Sequence, residues 1–495
     1  MVLLVSMSAA PVLGGSLVRG PYVQMPSPNA VTIRWRTFLP TDSRVRYGAD
    51  PASLSEVVSD SQLTTEHELR LQGLVPGVRY FYAVGTSSGD LVSGPEVYVD
   101  TPPPIDAASA SRVWVVGDSG TADASAEAVL AGYRAFAGAA EADLMLMLGD
   151  NAYPDGTDAQ YQAAVFDLYG DVLRHTPVWS CLGNHDGHSA DSASQTGPYY
   201  DIFTLPTAAE SGGTASGTEA YYSFDHGAVH FVVLDSYDSD RAVDGPMLTW
   251  LDADLQATTA SWIVAFWHHP PYTKGSHDSD SETRLREMRE NVLPVLEDYG
   301  VDLVLTGHSH SYERSYLLDG HYGLSSELLV SMVLDAGDGD PAGSGAYAKP
   351  VGLAAHEGAV YVVAGSSGRV GGGSFDHAAM HVSLPRLGSL LLDIDGTVLT
   401  GRFLGVEGTV VDRFQIRKGA LACTPQPGVT FETRCVDGVD DDCDGLVDLA
   451  DGDCAAPLFT DGFESGDLYR WSGVDGAAGL KFEAAPAAVG TQMPE

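Results

Sequence analysis

Short apolar runs that each stop at a polar cluster punctuate the middle of this 495-residue chain. RVWVV at 112–116 leads into Gly117-Asp118-Ser119-Gly120, and DLMLML at 143–148 into Gly149-Asp150-Asn151-Ala152-Tyr153. PVWSCL at 177–182 leads into Gly183-Asn184-His185-Asp186, SWIVAFW at 261–267 into His268-His269-Pro270, and VDLVLT at 301–306 into Gly307-His308-Ser309-His310. Runs this short and this apolar read as buried strands, joined at 228–235 and 359–365 by AVHFVVLD and AVYVVAG. Helical periods between them, near 123–139, 160–173 and 284–299, predict an α/β layered architecture with functional groups at strand ends. The Gly-rich stretches 321–358 and 366–388 read as loops, and 389–395 and 398–417 as closing strands.

Upstream the period changes. Residues 31–37 (VTIRWRT), 44–48, 67–74, 78–86 and 95–100 are short alternating segments separated by turn residues, the pattern of an all-β antiparallel sandwich. Pro102–Pro104 is a short stiff linker to the α/β region. The first 18 residues, MVLLVSMSAAPVLGGSLV, are apolar and small-residue-rich without a preceding Lys or Arg, which fits all or part of an export signal with no permanent anchor.

Composition adds limits. With 26 Lys+Arg against 67 Asp+Glu, the formal charge of −41 repels nucleic-acid phosphates and anionic membranes, so no nucleic acid partner is expected. A site that accepts an anion therefore needs its own local positive field, from metal ions and nearby His. Four of the five cysteines (Cys423, Cys435, Cys443, Cys454) crowd into one segment, where an extracytoplasmic protein would form two disulfides with pairing left open. Cys181 lies alone in an apolar run and reads as a buried thiol.

The chemistry gathers at the strand ends. Alternate residues of an extended segment share a face, so His308 and His310 can look toward one centre or two adjacent ones while Ser309 turns aside. Polar groups buried together in this number need partners or a metal. Along SWIVAFW the same alternation lets only one of His268 and His269 face that centre. Neither GxxxxGK[ST] nor GxSxG occurs, so signatures of a P-loop NTPase and a serine hydrolase are missing.

The ordered series GDxG, GDxxY, GNH(D/E), an apolar run then His, and GHxH resembles the purple acid phosphatases among the calcineurin-like metallophosphoesterases, across most of residues 19–418. The resemblance implies a β-sandwich flanked by helices at 111–418, the metallophosphoesterase fold. A fibronectin type III-like sandwich at 19–102 would precede it, with a tyrosine corner in 74–82. It implies a bridging Asp150, with Asp118, Tyr153 and His310 on one metal and Asn184, His268 and His308 on the other. It selects His268 over His269, and gives His185 and His277 the outer role of binding phosphate or protonating the leaving group. Phenolate and carboxylate suit Fe(III), while amide oxygen and imidazole suit a divalent Zn, Fe or Mn. The expected activity is that of a secreted acid phosphatase cleaving phosphomonoesters by attack of a metal-bound hydroxide. A phosphodiesterase or nucleotidase on the same site, and an inactive surface-binding protein, are the alternatives.

Beyond residue 418 the expectations are separate. Asp440, Asp442, Asp444, Asp448 and Asp451 fall at positions 1, 3, 5, 9 and 12 of a calcium loop with Gly445 at position 6, although position 12 is ordinarily Glu. This 423–454 module resembles a Cys/Asp-rich metal-binding repeat of bacterial secreted proteins. Residues 455–495 read as a partly disordered tail, with 459–473 resembling a tail segment of exported bacterial proteins.

Overall fold

The computed structural model describes residues 16–105, 107 and 109–419. The expected calcium loop, the clustered cysteines, the tail and residues 1–15 of the expected signal segment lie outside the described residues, whereas Leu17 and Val18 at the end of that segment belong to the first strand.

An N-terminal β-rich unit is built from six antiparallel strands, Leu17–Ser27, Ala30–Gly48, Glu56–Gln72, Arg79–Thr86, Gly89–Val92 and Tyr98–Asp100. The segments 31–37 and 44–48, read as separate strands, are one 19-residue strand. Its first half pairs with Leu17–Ser27 and its second with Arg79–Thr86, and the register shifts between Arg36 and Ser43 let it pass from one pairing to the other. Alternate side chains Val31, Ile33, Trp35 and Val45 fill the core with Leu71, Tyr82 and Val99. Near the 74–82 turn, the Val75 N–H donates to the Tyr80 hydroxyl at 3.1 Å.

This unit is fastened to the α/β region by polar side chains that reach across. Tyr22 donates to the Ile202 carbonyl at 2.8 Å, Arg34 donates to the carbonyls of Ile202 and Asp201, and Arg36 grips Asp158 through both terminal nitrogens. Buried arginines placed on carbonyl groups fix orientation more than they add stability.

The α/β region is two seven-stranded sheets face to face. One runs in the order Tyr222–His226, Val229–Val233, Trp262–Trp267, Leu303–Thr306, Val360–Ala364, Tyr312–Ser315, Met380–Leu384. The other runs Tyr347–Lys349, Val410–Lys418, Val398–Gly405, Gly388–Asp395, Ser111–Val116, Leu144–Met147, Val178–Ser180. Period-2 alternation explains the layering: Phe231, Val233, Val264 and Phe266 enter the core between the sheets. Their neighbours Val232, Leu234, Ile263 and Ala265 enter a second core under the helices carrying Leu251 and Leu296. The helices Ala124–Ala137, 158–173 and 283–298 lie where the periodicity puts them. Three expectations change, the first being that the stretch 321–358 carries the short strands Val333–Asp335 and Tyr347–Lys349, the latter an edge of the second sheet. The run 398–417 is two strands broken by a turn at 405–409, and the Gly-rich stretch before 389 contains the edge strand Met380–Leu384.

One buried cluster away from the strand ends carries a pH dependence. His230 is fully buried, with Nδ1 2.7 Å from Asp225 Oδ1 and Nε2 2.9 Å from Asp254 Oδ2. Burial opposes its charge, but hydrogen bonds to both carboxylates prevail and hold the imidazole up to about 9, above its usual 6.5. A raised imidazole stabilises the fold fully below pH about 6.5 and loses that contribution as pH climbs through about 9. At 1.36 kcal/mol per pKa unit the loss is about 3 kcal/mol. Urea midpoints are expected to fall from pH 6.5 to 9.5 in the wild type, with a flatter profile for His230→Gln; equal slopes would remove His230 as the source.

Candidate metal centre

Asp118, Asp150 and Asn184 follow the parallel strands Ser111–Val116, Leu144–Met147 and Val178–Ser180 of one sheet. His268, His308 and His310 follow Trp262–Trp267 and Leu303–Thr306 of the other. These six residues, with Tyr153 three positions after Asp150, therefore meet at the seam where the two sheets end side by side. Asp118 and Asp150 are almost fully buried, and His268 completely so.

Asp118 (φ 55°), Asp150 (φ 52°) and His308 (φ 65°) all adopt the left-handed conformation, sparsely populated for non-glycine residues and concentrated at functional sites. This corrects the expected geometry of His308-Ser309-His310. The strand ends at Thr306, and a turn, not an extended zigzag, aims the two imidazoles. The reason is a backbone bond: Asp118 Oδ2 accepts the His308 N–H at 2.7 Å and holds the turn. Gly149 (φ 85°) is needed next to it, because a Cβ there would lie 2.7 Å from His268 Nδ1.

Asp150 divides the cluster. Its Oδ2 lies 3.1 Å from the Tyr153 hydroxyl, which is itself 3.0 Å from Asp118 Oδ1 and 3.3 Å from His310 Nε2. Its Oδ1 lies 3.5 Å from His268 Nε2, which is 3.1 Å from Asn184 Oδ1 and 3.2 Å from His308 Nδ1. Asp118 and His310 thus gather about the Tyr153 hydroxyl beside one carboxylate oxygen, and Asn184 and His308 about His268 Nε2 beside the other.

The donor chemistry fits cations. Nδ1 of His268 faces the Leu148 carbonyl at 2.9 Å, so it carries a proton, and in the neutral ring Nε2 presents a lone pair. That lone pair points at the oxygens of Asn184 and Asp150, an arrangement that positive charge relieves. Burial works against charge on His268, yet Asp150 overrides it and raises the imidazole to about 9. Burial also raises Tyr153, and the adjacent Asp118 and Asp150 raise it further, so without metal the phenol keeps its proton. Burial alone would raise Asp150, but His268 and His185 overcome it and hold the carboxyl below its usual range.

The purple acid phosphatase N-terminal domain profile matches residues 19–101, and the calcineurin-like phosphoesterase profile matches residues 111–312. The region 111–312, which carries the whole cluster, is a calcineurin-like phosphoesterase domain. Purple acid phosphatase 23 of Arabidopsis thaliana is 30% identical over 285 residues, 51% of this chain and 59% of that one. Acid phosphatase type 7 of Homo sapiens is 27% identical over 325 residues, 58% of this chain and 68% of that one. The chain thus spans about six-tenths of the first relative's length. A solved purple acid phosphatase from yellow lupin (Lupinus luteus) seeds covers 83% of this chain and 76% of its own at a TM-score of 0.59 and 17% identity. The structure of PhoD covers 85% and 95% at a TM-score of 0.56 and 15% identity. At those identities the structural likeness speaks for the fold.

Around this metallophosphoesterase cluster the other candidates take distinct places. The His185 ring packs edge-on to the Tyr153 ring, with centroids 4.5 Å apart, and the His185 backbone N–H donates to Asp150 Oδ1 at 2.8 Å. His277 stacks on His308 with centroids 3.7 Å apart. His269 turns to Ser236 Oγ at 2.9 Å, and burial pushes its imidazole well below the usual range. Cys181 is buried and free.

Two residues escaped the sequence reading. Asp186, completely buried, accepts hydrogen bonds from the Gly183 N–H at 2.9 Å, Asn151 Nδ2 at 3.0 Å and the Tyr161 hydroxyl at 2.5 Å. Glu282 accepts from His277 Nδ1 at 3.0 Å and lies 3.6 Å from His308 Nε2. Asp186 was visible as the last member of the Gly183–Asp186 cluster. Nothing local marked Glu282, which comes from the start of a helix 14 residues after His268.

Proposed function

We propose that this protein is a secreted dinuclear-metal acid phosphatase that hydrolyses phosphomonoesters. Asp150 is the bridging ligand, Asp118, Tyr153 and His310 hold Fe(III), and Asn184, His268 and His308 hold a divalent Zn, Fe or Mn. The observation that carries this reading is that the two oxygens of one buried carboxylate face Tyr153 and His268, each of which gathers two further candidate ligands. Bound there, the two ions would supply Lewis acidity toward a phosphate oxygen and lower the pKa of an attacking water.

The chain's own part is to hold the phosphate and move a proton. His185 Nδ1 faces the Pro154 carbonyl at 2.6 Å, and His277 Nδ1 faces the Glu282 carboxylate. Both rings are thereby fixed with the proton on Nδ1, and Nε2 is left for substrate. In the protonated form either Nε2–H can donate to a phosphate oxygen and then pass its proton to a departing alkoxide. In this reading residues 19–102 shape the rim of the cleft, and 111–418 supply the chemistry. Among the described residues no helix is long and apolar enough to cross a membrane.

Metal analysis with a visible spectrum of the purified protein tests the proposal. Iron at about one equivalent is expected, with a broad visible band from phenolate-to-iron charge transfer that Tyr153→Phe abolishes. Two colourless divalent ions in an active protein would overturn the Fe(III) assignment, and absence of phosphomonoester hydrolysis by the metal-loaded wild type would overturn the activity.

A further inference from the structure

The loop 365–373, Gly-Ser-Ser-Gly-Arg-Val-Gly-Gly-Gly, lies directly against the metal cluster although none of its side chains belongs to it. It is pinned on both sides of its centre. Ser367 N–H donates to the Gly117 carbonyl at 3.1 Å, and Gly371 N–H donates to the His310 carbonyl at 2.8 Å. At Gly368 a Cβ would sit 2.5 Å from the Asp118 carbonyl oxygen, so the backbone approaches as closely as glycine permits. Between these anchors the chain presents Arg369, an exposed residue whose guanidinium carbon stands 5.6 Å from the centroid of the Tyr153 ring.

Arg369 is conspicuous for what surrounds it. In a chain of charge −41, arginines such as Arg36, Arg314 and Arg402 each hold a carboxylate. Arg369 has no ion pair or hydrogen bond among the described residues; its contact is with the Tyr153 face. A fixed loop that delivers an uncompensated guanidinium to the rim of an anion site leaves five N–H donors for an anion. His185 already contacts the Tyr153 ring within the site, whereas Arg369 is exposed at its edge.

Resting on the phosphatase reading above, we propose that Arg369 is a specificity-determining residue that binds a second phosphate on the substrate. The favoured substrates are then phosphate esters or anhydrides whose leaving group itself carries phosphate, such as diphosphates. In the cleavage of pyrophosphate the oxygen of water forms a new bond to one phosphorus and the bridging P–O bond breaks. The departing phosphate takes a proton, giving two phosphates with no other reactant.

The test compares inorganic pyrophosphate with p-nitrophenyl phosphate, whose leaving group has no phosphate, in wild type, Arg369→Gln and Arg369→Lys. The ratio of kcat/KM for pyrophosphate over the aryl phosphate is expected to fall at least tenfold in Arg369→Gln, through KM, with Arg369→Lys intermediate because it keeps charge but not the two-pronged geometry. A ratio within twofold of wild type in both variants, or parallel loss on both substrates through kcat, would overturn the proposal. Calorimetric binding of pyrophosphate is measured alongside. If the wild type turns over neither compound, the phosphatase reading fails by itself, and the binding still decides: tenfold weaker binding to Arg369→Gln supports the anion site, and equal affinity removes it.

Discussion

Asp150→Ala is expected to lower phosphomonoester hydrolysis on the order of a thousandfold or more and to yield protein that retains fewer than two metal ions after gel filtration. The expectation follows from position. One oxygen of Asp150 serves the Tyr153 side of the cluster and the other the His268 side, so one substitution removes the shared anion of both halves. It also leaves the His185 N–H, which donates to Oδ1 at 2.8 Å, without an acceptor. Because Asp150 has φ 52°, alanine adds roughly 1 to 2 kcal/mol of backbone strain. Asp150→Asn separates the effects, since asparagine tolerates the left-handed region and keeps the shape while removing the charge. Activity and metal content near wild-type values in the asparagine variant would sink the bridging assignment. A thermal melt within a few degrees of wild type, with both lost, would establish that the carboxylate acts on the metals and not on folding.

Asp186→Ala should be the most damaging substitution among residues that touch no candidate ligand atom through their own carboxylate. The side chain is completely buried and receives donors from the backbones of Gly183 and Asn151, the amide of Asn151 and the hydroxyl of Tyr161. These bonds tie the loop after Leu144–Met147 to the loop after Val178–Ser180, the two segments that carry Asp150 and Asn184. Removing the carboxylate leaves three buried donors unmet at about 1 to 3 kcal/mol each, while the Asn151 amide keeps Ser180 Oγ and the Cys181 carbonyl. Partial relaxation keeps the sum non-additive, so a net loss of about 4 kcal/mol is expected in urea unfolding. Metal affinity should fall roughly 10- to 100-fold, the usual effect of removing support from behind a ligand. Stability within about 1 kcal/mol of wild type would mean that the loops are held by other contacts.

Most of the site was legible because its signals are local. An apolar run that stops at Gly-Asp, Gly-Asn-His or His-His can be read from neighbours alone, and those runs became the strands Ser111–Val116, Leu144–Met147, Val178–Ser180, Trp262–Trp267 and Leu303–Thr306. The helices between them were equally local, since a 3.6-residue period is written in ten to fifteen consecutive positions. Where the sequence misled, a distant atom intervened. The turn that aims His308 is held by Asp118, 190 residues earlier, and the edge strand Met380–Leu384 exists because Tyr312–Ser315 offers it a partner.

The sequence by itself thus determined which residues are candidates for ligand chemistry and which faces of the strands are buried, because side-chain type and short-range periodicity are properties of consecutive residues. Only the tertiary structure decided that three of the strands belong to one sheet and two to the other, so that their ends meet at a seam and split around Asp150. It likewise decided that Asp186 and Glu282 brace the site and that Arg369 stands beside Tyr153 with no ion pair among the described residues. Strand order and loop docking are set by packing between segments a hundred or more residues apart, and no local pattern contains that information.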